Sequence, residues 1–334
     1  MRPGVLFFLV MTLLGGCGKE DTPAPTPAAG ETSATGSTPL QTGQSSRELR
    51  IVALSPALAI ILQDLGYRDQ IVGRHAYDLA LDPSVPSCGE QGTIDYETLV
   101  RVDPTHIFVQ WGSQPLPPRL LELAATKKWI VKNLNPLSLT EIEDSAREMD
   151  EAIFDFATRN LDSPLPGPSG AATPPEHIKP AMPFEDDMHL AWSDRGPMMK
   201  AAGRILLISG TKPIGALGPG SFHAQLLQRL GGTPALTTGG PWITLDIEDL
   251  NTLAPDGIIL FSPRPARSER PEQEASPEQL IALFGRAGEL NIPAFRNKRV
   301  ALIDDPFCLT PSTAMIGVAD RITDIVTGWG QGKN

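Results

Sequence analysis

The sequence predicts an α/β protein of two similar lobes, each built on a parallel sheet, bridged by one long helix. Three observations carry this. Strand-like and helix-like runs alternate from Leu49 onward, the pattern of parallel βα units. Glu97-Thr-Leu-Val-Arg-Val-Asp-Pro104-Thr-His-Ile-Phe-Val109 aligns without gaps on Glu248-Asp-Leu-Asn-Thr-Leu-Ala-Pro255-Asp-Gly-Ile-Ile-Leu260, and such self-similarity points to a repeated unit. Between the halves, Ser138 to about Asn160 carries a single apolar stripe on an otherwise charged rod.

The elements follow in order. Arg50-Ile51-Val52-Ala53-Leu54 is a short apolar run, read as a buried strand. Ser55 stands where a helix wants its N-cap, and Pro56 at the first helical position. The helix Ala57 to Leu65 closes on Gly66, the residue most at ease just past a helix end. Ile71-Val72-Gly73 opens another strand. Asp95 caps a helix to Val102, and Pro104 ends it, because proline cannot continue the N–H ladder. Thr105 to Gln110 is a strand running into Trp111-Gly112. Arg119 to Lys128 is helical, and Trp129-Ile130-Val131 is a strand.

Leu139, Ile142, Ala146, Met149, Ile153 and Phe156 form the stripe of the bridging helix, and Ser138 with Glu141 fits a capping box. At 1.5 Å per residue the rod is roughly 34 Å long, enough to join two lobes. Leu161 to Lys200 holds Pro164, Pro166, Pro168, Pro174, Pro175, Pro180 and Pro183 and the run Glu185-Asp186-Asp187. It reads as a long, partly disordered insertion. Alternation then resumes: strand Arg204 to Ser209, helix Ser221 to Leu230, helix Asp246 to Leu253 and strand Gly257 to Ser262. Helix Pro277 to Arg286, strand Arg299 to Ile303 and a helix from about Ser312 to Thr327 complete it. The expected divisions are a lobe at 49–137, a bridge at 138–162, an insertion at 163–202 and a second lobe at 203–334. Two Rossmann-like lobes on one rigid helix leave a cleft at the strand ends, where open α/β sheets bind ligands.

The N-terminus has its own signature. Met1-Arg2 precedes the apolar run Val5 to Leu14, and Gly15-Gly16 leads into Cys17. The run is too short for a membrane span, which takes ~20 residues. Its layout is that of a secretory signal. With its cysteine the segment resembles the lipobox of bacterial lipoproteins, which implies a signal peptide at 1–16 and lipidation of Cys17. The stretch 17–48 is rich in Pro, Ala, Thr, Ser and Gly, a composition that cannot offset its ordering entropy. It reads as a tether reaching on the order of 30 Å. The expected product is exported and held at a cell-envelope membrane by acyl chains, facing the periplasm.

The charge of −11 and pI near 5.0 argue against a nucleic-acid partner. Beyond Cys17 the chain has only Cys88 and Cys308, read as free thiols, since a bridge across the cleft would oppose ligand exchange. Gly215-Ala-Leu-Gly218-Pro-Gly220 lacks the lysine of a phosphate loop. A surface hydrolase would need an activated nucleophile. Ser221-x-His223 is the one crude candidate, too close along one helical turn to align.

Taken in order, Arg50-Ile-Val-Ala-Leu-Ser-Pro56, Leu65-Gly66, Ile71-Val-Gly73, Asp103-Pro104, Gly218-Pro-Gly-Ser-Phe222, Leu230-Gly-Gly232, Pro255-Asp256, Arg299-Val300 and Ile303-Asp304 give the chain a family likeness. It resembles the helical-backbone substrate-binding proteins of ABC importers for ferric siderophores, haem and vitamin B12, and among them the vitamin B12 binders most. The resemblance implies a ligand carrier, not an enzyme, working with a permease and its ATPase as a monomer without cofactor. It implies that Trp111, Trp242, Tyr77 and Phe307 offer flat faces to a rigid macrocycle. Pro56 and Phe222 line the same cleft. It also implies docking to the permease through one surface acid per lobe. Glu248 falls on the second-lobe position, whereas Pro117 occupies the first, with Glu122 one turn on.

Other residues leave alternatives open. His75 can ligate cobalt, haem iron or zinc, or be an ordinary loop residue. Arg264, with Arg267 and Arg270, can grip carboxylates, or lie solvated beside Glu269, Glu272 and Glu274. Asp305 joins His75 and Glu90 as candidate metal ligands, too few for a metal centre. His223 and His106 read as structural, and Trp129 and Trp192 as core. The expected function is capture of a metal chelate, a cobalamin-like corrinoid first and ferric siderophore or haem second. A ligand-free interaction or sensor lipoprotein is the alternative, and a metal-ion binder a minor one. The rigid bridge implies hinge motion of small amplitude.

Overall fold

The computed structural model describes residues 47–90, 92–160, 182–267 and 275–331. The signal peptide, Cys17, nearly all of the tether, the first part of the insertion and Arg270 lie outside these residues.

The first lobe opens with β1 (Ile51–Leu54), α1 (Pro56–Asp64) and β2 (Ile71–His75), followed by β3 (Ser87–Glu90) and β4 (Thr93–Ile94). Next come α2 (Tyr96–Val102), β5 (His106–Val109), α3 (Pro118–Lys127) and β6 (Ile130–Asn133). Its sheet has the order β4-β3-β2-β1-β5-β6. All its pairs are parallel except β3 with β4. The bridge is α4 (Leu139–Asn160), followed by α5 (Met182–Ala191) and α6 (Pro197–Ala201). The second lobe holds β7 (Arg204–Thr211), β8 (Ile214–Leu217), α7 (Phe222–Arg229), β9 (Thr233–Pro234), β10 (Trp242–Leu245) and α8 (Ile247–Leu253). It ends with β11 (Gly257–Phe261), α9 (Pro277–Leu283), α10 (Pro293–Arg296), β12 (Val300–Ile303) and α11 (Met315–Gly330). The order here is β10-β8-β7-β11-β12. β7, β11 and β12 are parallel, but β8 runs antiparallel to both β7 and β10. The expectation of parallel sheets therefore holds for the centre of each lobe and fails at one edge of each.

The bridging helix packs as its pattern predicts. Leu139, Ile142, Ala146, Met149 and Ile153 are buried. Side-chain bonds tie it to both lobes. On the first, Tyr67 donates to Asp150 (2.7 Å), and the His106 Nε2–H meets the Ala152 carbonyl (3.2 Å). On the second, Arg229 pairs with Glu143 (2.7 Å) and the Leu139 N–H donates to Gln225 (3.1 Å). One hydrophobic cluster runs from α1 and β1 through α4 to α7 and α11. A second fills the far face of the second-lobe sheet and a third that of the first.

The described end of the stretch read as an insertion carries helices that pack on the shared cluster. Met188, Ala191 and Trp192 from α5 and its end, with Met199 from α6, are buried in the shared cluster. The proline run masks this. Met188 and Trp192 stand one turn apart, enough to put both on one buried face but too few for a visible stripe.

Candidate ligand-binding cleft

Residues at the carboxyl ends of the strands supply the loops of the site. After β1, Ser55 stands at the N-cap position, but its hydroxyl makes no cap bond. It donates instead to Gln110 Oε1 (2.7 Å), binding the ends of β1 and β5 together. Pro56 begins α1 as expected. Trp111 follows β5, half-buried against the outer core. Its backbone N–H donates to Asn133 Oδ1 (2.9 Å), and Gly112 N–H to Asn135 Oδ1 (2.8 Å). Asn133 returns a bond to the Gly112 carbonyl (2.9 Å). Two asparagines at the end of β6 thus hold the tryptophan turn. Their only sequence signal is Asn-x-Asn after a strand.

His75 ends β2 with its ring buried. Nδ1 accepts from the Tyr77 N–H (3.2 Å), which places the proton on Nε2. Burial lowers its pKa, and nearby Asp78 and Glu90 oppose the shift. Tyr77 is 69% exposed. Its hydroxyl is hydrogen-bonded to Glu90, which raises the phenol's pKa. The imidazole and phenol rings lie 5.9 Å apart. Asp78 is buried, and Oδ1 accepts from the N–H groups of Ala80 (2.9 Å) and Leu81 (2.8 Å). Its Oδ2 is buried without a donor, and burial pushes the carboxyl's pKa up.

In the second lobe Trp242 is 58% exposed at the start of β10. It lies diagonally across β8, over Gly215, where a Cβ would come within 2.7 Å of the indole. The glycine leaves a flat seat for the ring. Phe222 and His223 begin α7, and their rings are 4.1 Å apart. Ser221 caps that helix by accepting from Ala224 N–H (3.1 Å) and donating to Gly218 O (2.8 Å). His223 Nε2–H donates to the Cys308 carbonyl (2.7 Å), and its ring meets Phe261 edge-on at 4.6 Å. Burial pushes its pKa down to about 4. The Ser221 hydroxyl and His223 Nε2–H thus each donate to a backbone carbonyl rather than to each other.

The segment after β12 is tightly held. Asp305 Oδ1 accepts from the Phe307 N–H (2.8 Å). Arg264 pairs with buried Asp304 (3.1 Å) and donates its own N–H to the Asp304 carbonyl (3.0 Å). Its guanidinium is engaged within its own lobe. Cys88 lies in the outer core of the first lobe and Cys308 in the shared cluster; both are free, with thiols pushed up to about 12 by burial. Trp129 and Trp192 are buried. Glu248 is exposed on the first turn of α8, and Glu122 is exposed on α3 beyond its first turn. Among the described residues no three His, Cys, Asp or Glu side chains gather as a metal would need, and no helix is long and apolar enough to cross a membrane.

The two loop sets meet. Arg267, beyond β11, donates through Nη2 to the Leu81 carbonyl beyond β2 (2.5 Å). The exposed Tyr77 ring thus stands on a loop that touches the second lobe, while Trp242 stands on the edge strand of the second-lobe sheet.

No family model matches the chain, and no curated protein does. Solved structures do. The periplasmic haem-binding protein of Vibrio cholerae aligns at 14% identity and TM-score 0.58, covering 83% of this chain and 98% of its own. A possible iron-binding, periplasmic solute-binding protein of Staphylococcus epidermidis aligns at 17% identity and TM-score 0.56, covering 83% and 98%. The fold is that of the periplasmic solute-binding proteins. The periplasmic vitamin B12-binding protein of Vibrio cholerae shares it as well, at 18% identity and TM-score 0.53, covering 84% and 97%.

Proposed function

We propose that this chain is the substrate-binding component of an ABC importer, exported and anchored through lipid on Cys17. It captures a bulky metal chelate between its lobes and hands it to a permease. The observation that carries this reading is the pair of exposed rings, Tyr77 in one lobe and Trp242 in the other. Tyr77 follows β2 and Trp242 begins β10, in a chain whose Trp129 and Trp192 are buried. Rings left in water at strand ends suit a large, rigid ligand, because they bury area at little entropy cost.

A cobalamin-like corrinoid is the first choice and haem or a ferric siderophore the second. The polar groups beside the Tyr77 ring are fixed, the His75 imidazole and the phenol paired with Glu90, and Asp305 is held after β12 by the Phe307 N–H. Such groups orient a ligand rather than transform it. Glu248, exposed on α8, is the docking acid of the second lobe, and Glu122 stands in for the missing acid of the first.

The test is a titration with aquocobalamin, haemin and ferric siderophores, followed by tryptophan quenching and each ligand's visible band. Saturable submicromolar binding of one of them supports the reading. No binding to any of the three contradicts it.

A further inference from the structure

We propose that Arg267 is a latch across the cleft and that Asp78 is the residue positioning its acceptor, so that together they set how fast a bound chelate leaves. The release part rests on the carrier reading above; the closure part does not.

The first-lobe half of the contact is prepared in advance. Leu81 is buried in the shared core, and Asp78 Oδ1 fixes the N–H groups of Ala80 and Leu81. Such a turn leaves the next carbonyl little freedom. Arg74 secures the rest of the loop, donating to the carbonyls of His75 (3.0 Å), Ala76 (3.0 Å), Pro83 (3.3 Å) and Val85 (2.9 Å). None of these bonds involves the second lobe. The Leu81 oxygen is therefore held in place whether or not Arg267 is present.

The second-lobe half is a single side chain on an exposed segment. Arg264, three residues earlier, is anchored to Asp304; Arg267 reaches from that anchor to the other lobe. Its charge also lies close enough to Asp82 to help lower that carboxyl's pKa. A charged donor on a carbonyl, with a carboxylate beside it, outweighs a neutral bond. It is still exposed enough to break. A second polar link between the lobes among the described residues, Thr313 to Asp64, joins the segment before α11 to the end of α1. It does not involve the loops that carry Tyr77 and Arg264. Of these two links, the Arg267 contact is at the loops beyond β2 and β11 and the Thr313 contact is away from them.

The experiment uses the intact chain with Cys17→Ser and spin labels at Lys127→Cys and Glu289→Cys, both exposed and one in each lobe. Cys88 and Cys308 are buried and do not compete. Arg267→Ala should broaden the interlobe distance distribution and shift it outward, with Arg267→Lys in between and the melting temperature unchanged. Asp78→Ala should reproduce the shift and add nothing on top of Arg267→Ala. A distribution for Arg267→Ala that superimposes on the wild type overturns the latch. That result needs only the exposed Arg267 variant, should Asp78→Ala fail to fold.

With aquocobalamin, haemin or a ferric siderophore, whichever binds, Arg267→Ala should raise the dissociation rate about tenfold and change association less than twofold. Unchanged dissociation overturns the release part. Failure of aquocobalamin, haemin and ferric siderophores alike to bind contradicts the carrier reading, and the distance distributions then decide the closure part alone.

Discussion

The two lobes share one half of their design and differ in the other. In each, an aspartate caps a helix, Asp95 before α2 and Asp246 before α8. In each, the helix stops on a non-glycine residue in the left-handed region, Asp103 at φ 38° and Ala254 at φ 42°. A proline and a parallel strand follow. An arginine from the first strand reaches the helix end: Arg50 to the Val102 carbonyl and Arg204 to the Ala254 carbonyl. The other half diverges. The first lobe continues β1 through α1 into a parallel β2. The second folds β7 directly back into β8 and adds β10 beside it. Tyr77 and Trp242 both belong to the divergent half. The common half builds the scaffold, and the variable half carries the exposed rings and their different supports.

The largest expected effect tests whether the lobes are equally sensitive to acid. His106 and His223 are buried and neutral, each with its pKa pushed down to about 4 from 6.5. The unfolded chain takes up these protons first as pH falls. Their stabilisation is therefore complete above about pH 6.5 and is lost on the way down to about 4, at roughly 3 kcal/mol for each histidine. Urea unfolding between pH 7 and 4 should show this loss. His106→Gln and His223→Gln should each flatten the curve by a similar amount. A variant that keeps the full wild-type slope would show that its histidine is not the titrating group.

Next is the matched arginine pair. Arg50 makes two partly buried bonds to one carbonyl (3.0 and 2.8 Å), and Arg204 makes one exposed bond (3.0 Å). Arg50→Ala should cost about 2 kcal/mol and Arg204→Ala about 0.5 kcal/mol, read from denaturant midpoints. Equal losses would mean that exposure does not separate them. The helix caps should be nearly symmetrical: Asp95→Ala and Asp246→Ala are each expected to cost about 1 kcal/mol. A gap well beyond that size would break the equivalence of the two repeats. Smallest in stability, yet specific to the site, is Gly215→Ala. The added methyl must displace the Trp242 indole. Because that ring is exposed, the melting temperature should barely move, while its fluorescence maximum and ligand affinity change. An unaltered spectrum would put the indole somewhere other than on its glycine seat.

The common half is legible in the sequence because cap, stop and strand recur at fixed spacing, and the bridge because its stripe continues from Leu139 to Phe156. The divergent half is not. Ile-Gly-Ala-Leu in β8 and Ser-Cys-Gly-Glu in β3 are four-residue strands without alternation, and only pairing with a neighbour makes them strands. Tyr77, Trp111 and Trp242 stand out through resemblance, and the structure sets each at a strand end. Asn133, Asn135 and Arg74 escape notice, since their work is to bond backbone that the sequence does not place beside them. For Arg267 the sequence leaves a ligand grip and a solvated loop open, whereas the structure turns it onto the opposite lobe.

The most direct test of the account is aquocobalamin binding to Trp111→Ala and Trp242→Ala measured separately. One ligand held by both lobes predicts that each variant binds at least about tenfold more weakly than the wild type, and the double variant more weakly still. Wild-type affinity in both single variants would contradict it.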